Sequence, residues 1–139
     1  MFLKSFVFLL FLIKSSYAHE LRPAIANLNI YEKDNIINAS LSIQLNLEAI
    51  IAEINMKHSN TKESKESDQY ENLRTMSAVE LLKKFNSKIT NLQNKIYLTS
   101  SNISYSLVLL NVDIPKAGNT GMIRDTIINF DIKDIKDED

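Results

Sequence analysis

The sequence contains two histidines, His19 and His58, whose imidazoles can bind metals or transfer protons near neutral pH. His19 directly follows Ser16-Tyr17-Ala18, a small-x-small pattern typical of signal-peptide cleavage. Cleavage there would free the α-amine of His19, which can chelate one metal ion together with the imidazole Nδ1. Copper(II) suits such nitrogen ligands best among the common divalent ions. We therefore predict a copper or other divalent-metal site at His19, with His58 as an additional ligand. The alternative is that His19 simply follows the leader.

The arginines form a second group with chemical potential, because Arg22, Arg74 and Arg124 stand against thirteen lysines. A planar guanidinium donates two parallel hydrogen bonds to a carboxylate, which an ammonium cannot do. In a sequence so rich in lysine, an arginine indicates a need for that fork, although chance placement is the alternative. We expect Arg74 and Arg124 to be held by carboxylates. Together with Arg22 and Asp125, they are candidate structural or ligand-binding residues. The candidate partners are Asp113, Asp125 and Glu80.

Catalytic constellations are scarce in this sequence. It has no cysteine, which excludes both thiol catalysis and disulfides. Its only glycines are Gly118 and Gly121, too few for a Gly-rich phosphate loop, and a Ser-His-Asp triad would depend on His19 or His58. The 16 Lys plus Arg nearly balance the 17 Asp plus Glu, which argues against a nucleic-acid-binding surface. We predict a protein that is not an enzyme.

The first eighteen residues have the features of a cleavable signal peptide. A basic start, Met1–Lys4, precedes the apolar run Ser5–Ile13, which is too short to span a bilayer. No later segment approaches the apolar length of a transmembrane helix. The sequence therefore predicts a signal peptide over residues 1–18. A single periplasmic domain over residues 19–139, without a transmembrane helix, is expected to follow.

The elements that must position these residues begin with two strands. In Ile37–Leu47 apolar and polar residues alternate without a break, which predicts a β-strand with one buried face. A similar alternation in Leu21–Tyr31 predicts a preceding strand, and the polar turn Glu32–Asn35 would join the two as an antiparallel hairpin. After Leu47 the period changes, so Glu48–Ile54 is expected to form one or two helical turns.

A polar stretch and two helices are predicted next. His58–Gln69 lacks periodicity, which indicates a solvated loop, and Asp68–Arg74 predicts a short helix with Asp68 as its N-cap. Ser77-Ala78-Val79-Glu80 has the spacing of a capping box, so we expect a helix from about Ser77 to Gln93. Its apolar stripe, which should lie on the sheet, comprises Leu81, Phe85, Ile89, Leu92 and Ile96.

Three further strands are predicted in Ile96–Thr99, Ile103–Ile114 and a final segment around Phe130. Both faces of Ile103–Ile114 are apolar, so we expect its later half to be covered on both sides. No regular alternation of strand and helix is present. The sequence therefore predicts an α+β fold with a mainly antiparallel, sandwich-like sheet. The helical insertion would lie between the second and third strands.

Short motifs along most of the predicted domain carry a family resemblance. They are His19-Glu20-Leu21-Arg22-Pro23-Ala24, Asn46-Leu47-Glu48-Ala49-Ile50, Tyr70-x-x-Leu73-Arg74 with the helix start Ser77-x-x-Glu80-Leu81, and Ile114-Pro115-x-x-Gly118 followed by Arg124-Asp125. Together they resemble uncharacterised bacterial periplasmic proteins related to the extracytoplasmic N-terminal region of HupE/UreJ-type membrane proteins. That group is associated with hydrogenase or urease accessory roles and with metal supply. All three arginines lie inside the resembling segments.

The sequence departs from this group in two respects. It lacks the following membrane helices, so a transport role does not carry over. It also ends soon after the strand near Ile132, where the related proteins continue with more strands. Two explanations stay open: a shortened fold, or an incomplete chain with an exposed sheet edge.

We expect a non-catalytic, exported binding or accessory domain. Its partner would be an unknown ligand or a periplasmic or membrane protein. Copper or other divalent-metal binding through His19 is the alternative function, and a purely structural interaction domain is the third. A cleft formed by Pro115–Gly121 and the arginines would favour a ligand over a structural role.

Overall fold

The computed structural model describes residues 21–55, 57–90, 96–100, 103–116 and 122–133. Strands and helices follow one another in the predicted order, with the helices between the second and third strands. The α+β class and the antiparallel sheet are therefore confirmed. The elements are β1 (Ile25–Lys33), β2 (Ile36–Asn46), α1 (Leu47–Ala52), a 3₁₀ turn (Thr61–Glu63), α2 (Ser67–Thr75), α3 (Ala78–Asn86), β3 (Leu98–Ser100), β4 (Ile103–Asp113) and β5 (Asp125–Lys133).

A two-residue turn joins β1 to β2. Asp34 and Asn35 have φ angles of 56° and 59°, the left-handed conformation that both central residues of a type I′ turn require. Asp and Asn tolerate this conformation better than most residues. The hairpin predicted from the alternation is confirmed, and β1 extends through Lys33 into the segment predicted as turn.

The five strands form one antiparallel sheet in the order β1-β2-β5-β4-β3. At its centre Leu41 of β2 pairs with Phe130 of β5, and Ile43 pairs with Ile128. These side chains lie in the hydrophobic core, whereas β1 is exposed along its whole length. The sheet is curled: its two edge strands, β1 and β3, approach closely enough to line the same cavity.

A β-bulge interrupts β4. The register with β5 shifts between Leu109 and Asn111, and Leu110 has no counterpart on β5. One extra residue reverses the alternation of inward and outward side chains. Leu109 and Val112 therefore both pack against the core, while Val108 and Leu110 are exposed. The expectation that both faces of later β4 are covered is wrong, because its two apolar faces reflect this change of phase.

Side-chain caps determine where two of the helices begin. Asn46 Oδ1 accepts a hydrogen bond from the Ala49 N–H at the start of α1 (3.1 Å). At α3 the Ser77 hydroxyl accepts from the Glu80 N–H (3.3 Å), and the Glu80 carboxylate accepts from the Ser77 N–H (2.8 Å). The predicted capping box is thus confirmed. Across the described ranges, none of the helices has the length and apolar character needed to cross a membrane.

The predicted helix over Ser77–Gln93 is interrupted. α3 ends at Asn86, residues 87–88 form a turn, and residues 89–90 are helical again. Leu92 and the end of the predicted helix lie outside the described residues. The other members of the predicted stripe lie in the core or pack against it: Leu81, Phe85, Ile89 and Ile96.

The stretch predicted as a solvated loop, His58–Gln69, is more ordered than its composition suggests. Thr61 and Ser64 are buried, and α2 begins at Ser67. The predicted N-cap of α2 is also wrong, because Glu66 occupies that position without a capping side-chain hydrogen bond. Periodicity missed this segment because a single 3₁₀ turn buries isolated polar residues rather than an apolar stripe.

Candidate functional site

An apolar depression of about 360 Å³ lies on the core side of the sheet, and we call it the trough. All five strands contribute to its lining, and none of the described helices does. The trough therefore lies on a part of the concave sheet that none of the described helices lines. Its lining residues are Leu28, Ile30, Ala39, Leu98, Thr99, Tyr105 and Ile132.

The trough owes its depth to a small residue in the middle of the sheet. Ala39 of β2 lies between Ile30 of β1 and Ile132 of β5 in a cross-strand row. The core-facing residues that follow Ala39 in β2 are leucine or isoleucine. Because alanine lacks their outer methyl groups, the surface is lower at this point of the row.

The lining of the trough is mostly apolar. Its polar side chains are those of Thr99 and Tyr105, and none of its residues carries a formal charge. A cavity of this size lies within the usual range for small-molecule sites, which are mostly apolar and contain a few orienting polar groups. The trough is suited to binding an apolar ligand and offers no general base or charged group within its lining.

A second feature is a buried group of charged side chains, Glu48, Arg74 and Arg124, which we call the arginine cluster. Glu48 lies in the first turn of α1, and its side chain is 1% exposed. Arg124 Nε lies 2.7 Å from Glu48 Oε1, and the Arg124 side chain is 8% exposed. The contact is made through one nitrogen, so the pair is a close ion contact rather than a two-bond fork.

The remaining nitrogens of Arg124 bind backbone carbonyls. Nη2 donates to the carbonyls of Arg74 (3.0 Å) and Met76 (3.1 Å), and Nη1 donates to that of Pro115 (3.4 Å). A single guanidinium therefore joins α1, the end of α2 and the segment after β4. Hydrogen bonds from a charged donor are stronger than neutral ones, which favours a fixed arrangement of these segments.

Arg74 makes the reciprocal contact. Its Nη2 donates to the Met122 carbonyl (2.8 Å), and its Nη1 lies 3.5 Å from Glu71. The guanidinium carbon also lies 5.6 Å from the centre of the Tyr70 ring, within cation–π range. The Tyr70 hydroxyl in turn accepts a hydrogen bond from Asn46 (2.9 Å). The cluster thus holds the segment before β5 against α2.

Burial changes the acidity of two members of this region. Desolvation raises the pKa of Glu48 above its ordinary value, although a backbone N–H and the charges of Arg124 and Arg74 act in the opposite direction. Desolvation also raises the pKa of the Tyr70 phenol. The ion contact with Arg124 therefore stabilises the Glu48 carboxylate less than burial destabilises it.

The prediction of which carboxylates contact Arg74 and Arg124 is wrong. Arg124 contacts Glu48 and Arg74 contacts Glu71, rather than Asp113, Asp125 or Glu80. Glu80 is instead occupied by the Ser77 cap, which lowers the pKa of its carboxyl. The expectation that each arginine is held by a carboxylate holds for both residues.

The other two candidate residues meet at a different place. Arg22 and Asp125 line a cleft of about 190 Å³ beside the start of β1 and the end of β2. Arg74 and Arg124 are not among its lining residues. In the described part of the chain the three arginines thus do not converge on one cleft, and residues 117–121 of the predicted loop lie outside that part.

The histidines do not form a metal centre among the described residues. His58 is partly exposed and lies 3.7 Å from Glu63, and the described ranges contain no group of three metal-ligating side chains. His19 lies outside the described residues. Copper binding by the N-terminal amine and imidazole of His19 stays a prediction.

Neither the trough nor the role of Glu48 as a partner of Arg124 was predicted from the sequence. The signal for the trough was an alanine among the leucines and isoleucines of β2. The signal for Glu48 was a carboxylate one position into a helix that directly follows a buried strand. Neither signal identifies its partners, which are distant in the sequence.

Comparison with known proteins provides no relative for this chain. No protein-family model matches the sequence, and no curated protein or solved structure matches it significantly. Its function therefore has to be inferred from its own sequence and structure.

Proposed function

We propose that this chain is a non-catalytic, exported binding domain and that the trough is its ligand site. The observation that carries the proposal is an apolar cavity of about 360 Å³ that is lined by all five strands of the sheet and by none of the described helices. Folded proteins bury such surface unless it serves an interaction. The ligand class that fits is a small apolar molecule or the hydrocarbon part of a larger one.

The two polar groups of the trough support this choice of ligand. Thr99 and Tyr105 carry hydroxyls, and the remaining lining residues are aliphatic. Hydroxyl groups can orient one polar end of a ligand while the aliphatic walls bury the rest. A charged ligand would have to give up hydration without receiving an opposite charge from the lining.

An accessory role outside the cytoplasm is supported by the sequence. Residues 1–18 have the pattern of a cleavable signal peptide, which implies periplasmic localisation. The resemblance to the extracytoplasmic region of HupE/UreJ-type membrane proteins implies an accessory function beside a membrane or periplasmic partner. The arginine cluster fits a structural part of this role, since its charged groups are buried and bound to the chain's own backbone.

The proposal is tested with a neutral naphthylamine fluorophore, whose emission increases in apolar surroundings. We expect saturable binding to the purified, exported protein. Ala39→Phe, which fills the trough, should weaken binding about tenfold or more. Leu98→Asp, which places a charge on the wall of the trough, should have a similar effect.

Ala26→Phe is the matched control, because Ala26 lies on exposed β1 and does not line the trough. It should bind the fluorophore as the unmodified protein does. Circular dichroism verifies that each variant is folded. Absence of binding by the unmodified protein, or equal binding by folded Ala39→Phe and Leu98→Asp, would overturn the proposal.

A further inference from the structure

The outer edge of β1 is a long, unpaired and largely apolar strand edge. In the described part of the chain β1 pairs with β2 alone, and all nine of its residues are exposed. Ile30 is 64% exposed and Ile25 54%, and Leu28 and Tyr31 are also exposed. This amount of apolar surface on both faces of an edge strand indicates an interaction surface.

The sequence of β1 lacks the features that normally prevent edge pairing. From Ile25 to Tyr31 it contains no charged residue and no proline, and its charges, Glu32 and Lys33, adjoin the turn. The other edge of the sheet, β3, spans only three residues. Short length is itself a protection against pairing, so the two edges differ in their availability.

The hairpin geometry indicates which backbone groups β1 presents outward. Lys33 and Ile36 pair directly across the two-residue turn. Because hydrogen-bonded and non-hydrogen-bonded pairs alternate in an antiparallel ladder, odd-numbered residues of β1 direct their N–H and C=O groups toward β2. The even-numbered residues Ala26, Leu28 and Ile30 then direct theirs toward the free edge.

We propose that this edge pairs with the β1 edge of a second copy of the chain, antiparallel and centred on Leu28. This register brings outward backbone groups opposite one another, as a two-fold symmetric interface requires. It pairs polar side chains with polar ones and apolar with apolar: each Asn27 amide faces an Asn29 amide, and Ala26 faces Ile30. The resulting pairs are Leu28 with Leu28, Ala26 with Ile30, Asn27 with Asn29, and Ile25 with Tyr31.

Charge complementarity supports the same register. Beyond the ends of β1, this register brings Arg22, three residues before the strand, near Asp34, the first residue of the β1–β2 turn in the other copy, twice by symmetry. Neither residue makes an ion pair with another described residue.

The pairing would produce a continuous ten-stranded sheet in which both troughs lie on the same face. This follows because Leu28 pairs with the core-facing Leu41, so the β1 side chains that line the trough share one face in both copies. The dimer does not depend on ligand binding by the trough. Ala26 and Arg22 are not trough residues, so the two proposals can be tested separately.

Sedimentation equilibrium of the purified, exported protein between about 5 μM and about 500 μM tests the dimer, a range suited to an interface of moderate size. We expect a monomer–dimer equilibrium. Ala26→Pro should weaken it about tenfold or more, because one substitution removes two symmetry-related backbone hydrogen bonds. Ala26→Thr retains the N–H and should leave the equilibrium unchanged within about twofold.

Fluorophore binding by Ala26→Pro should be normal, which separates loss of the interface from loss of the fold. A monomer over the whole concentration range, or a dimer equally stable in folded Ala26→Pro, would overturn the proposal. Arg22→Gln and Asp34→Asn test the register. Each should weaken the dimer about twofold to threefold, with no further loss in the double variant; independent, additive effects would contradict the register.

Discussion

Two regions on the core-facing side of the sheet differ in what packs against the strands. Around Ile43 and Ile128, near the start of α1, helices cover the strands and a buried arginine cluster joins the surrounding segments. Around Ala39 and Ile132, toward the β1–β2 turn, none of the described helices lines the sheet; these two side chains are buried, but Ile30 beside them is 64% exposed at the trough. The same alternation of apolar and polar residues runs through both regions of β2. Alternation therefore specifies which face of the strand is apolar, whereas the connections determine which part of it is covered.

The two regions should differ most in how much an isoleucine side chain contributes to the free energy of unfolding. Ile128 is fully buried in the covered region and Ile30 is 64% exposed at the trough. We expect Ile128→Ala to lower the free energy of unfolding by about 2–5 kcal/mol, because it leaves a cavity. Ile30→Ala should lower it by less than about 1 kcal/mol.

Urea unfolding at low protein concentration measures both substitutions without contribution from the proposed dimer. Comparable losses in the two variants would mean that the trough is packed in solution. They would then contradict the distinction between a covered and an open region.

The arginine cluster provides the next comparison. Arg124→Lys should destabilise the protein by about 1–3 kcal/mol, because an ammonium cannot contact Glu48 and three separate carbonyls from one position. Arg22→Lys is the matched control at the exposed cleft and should change stability by no more than about 0.5 kcal/mol. Thermal unfolding of both variants tests the difference, and an unchanged Arg124→Lys protein would contradict a need for the guanidinium.

The capping box predicts a smaller effect in the covered region. Ser77→Ala removes the hydroxyl that accepts the Glu80 N–H at the start of α3, and we expect a loss of about 1 kcal/mol. Val79→Ala, on an exposed position of the same helix, should be nearly neutral. Chemical denaturation distinguishes the two, and a neutral Ser77→Ala would mean that packing alone fixes the start of α3.

The pH dependence of stability should carry a signature of Glu48. Because burial raises its pKa in the folded state, the folded protein binds more protons than the unfolded chain above the ordinary pKa of glutamate. The contribution of Glu48 to stability is therefore present below that ordinary pKa and is lost as pH rises through the raised value. Stability of Glu48→Gln should rise more steeply with pH in this window than that of the unmodified protein. Parallel profiles would exclude a raised pKa.

Local patterns predicted most of the fold. The hairpin, the capping box and the order of elements follow from alternation, turn chemistry and N-cap spacing, which act between residues close in sequence. The bulge at Leu110 was missed, because a change of phase and burial on both faces have the same local signature. The helix break after Asn86 was missed for a related reason: the apolar stripe continues through it.

The candidate sites were less predictable, because their residues are distant in sequence. Arg74 and Arg124 each contact a carboxylate, as the rarity of arginine had suggested, but the partners, Glu71 and Glu48, were not among those predicted. Glu48 became identifiable as a partner only when α1 and the segment before β5 were placed together. The trough depends on β1 and β3 approaching across a curled sheet, a property of the whole sheet rather than of any one strand.

The placement of β5 between β2 and β4 also determines when the chain can fold. β2 must pair with a strand from near the other end of the described chain, with all the helices, β3 and β4 between them. Such distant pairing slows folding, because a long loop must close before its contacts form. A chain that emerges from its N-terminus would expose the apolar face of the β1–β2 hairpin until residues 125–133 arrive. In the cell, that hairpin should therefore be the segment most dependent on a chaperone during synthesis.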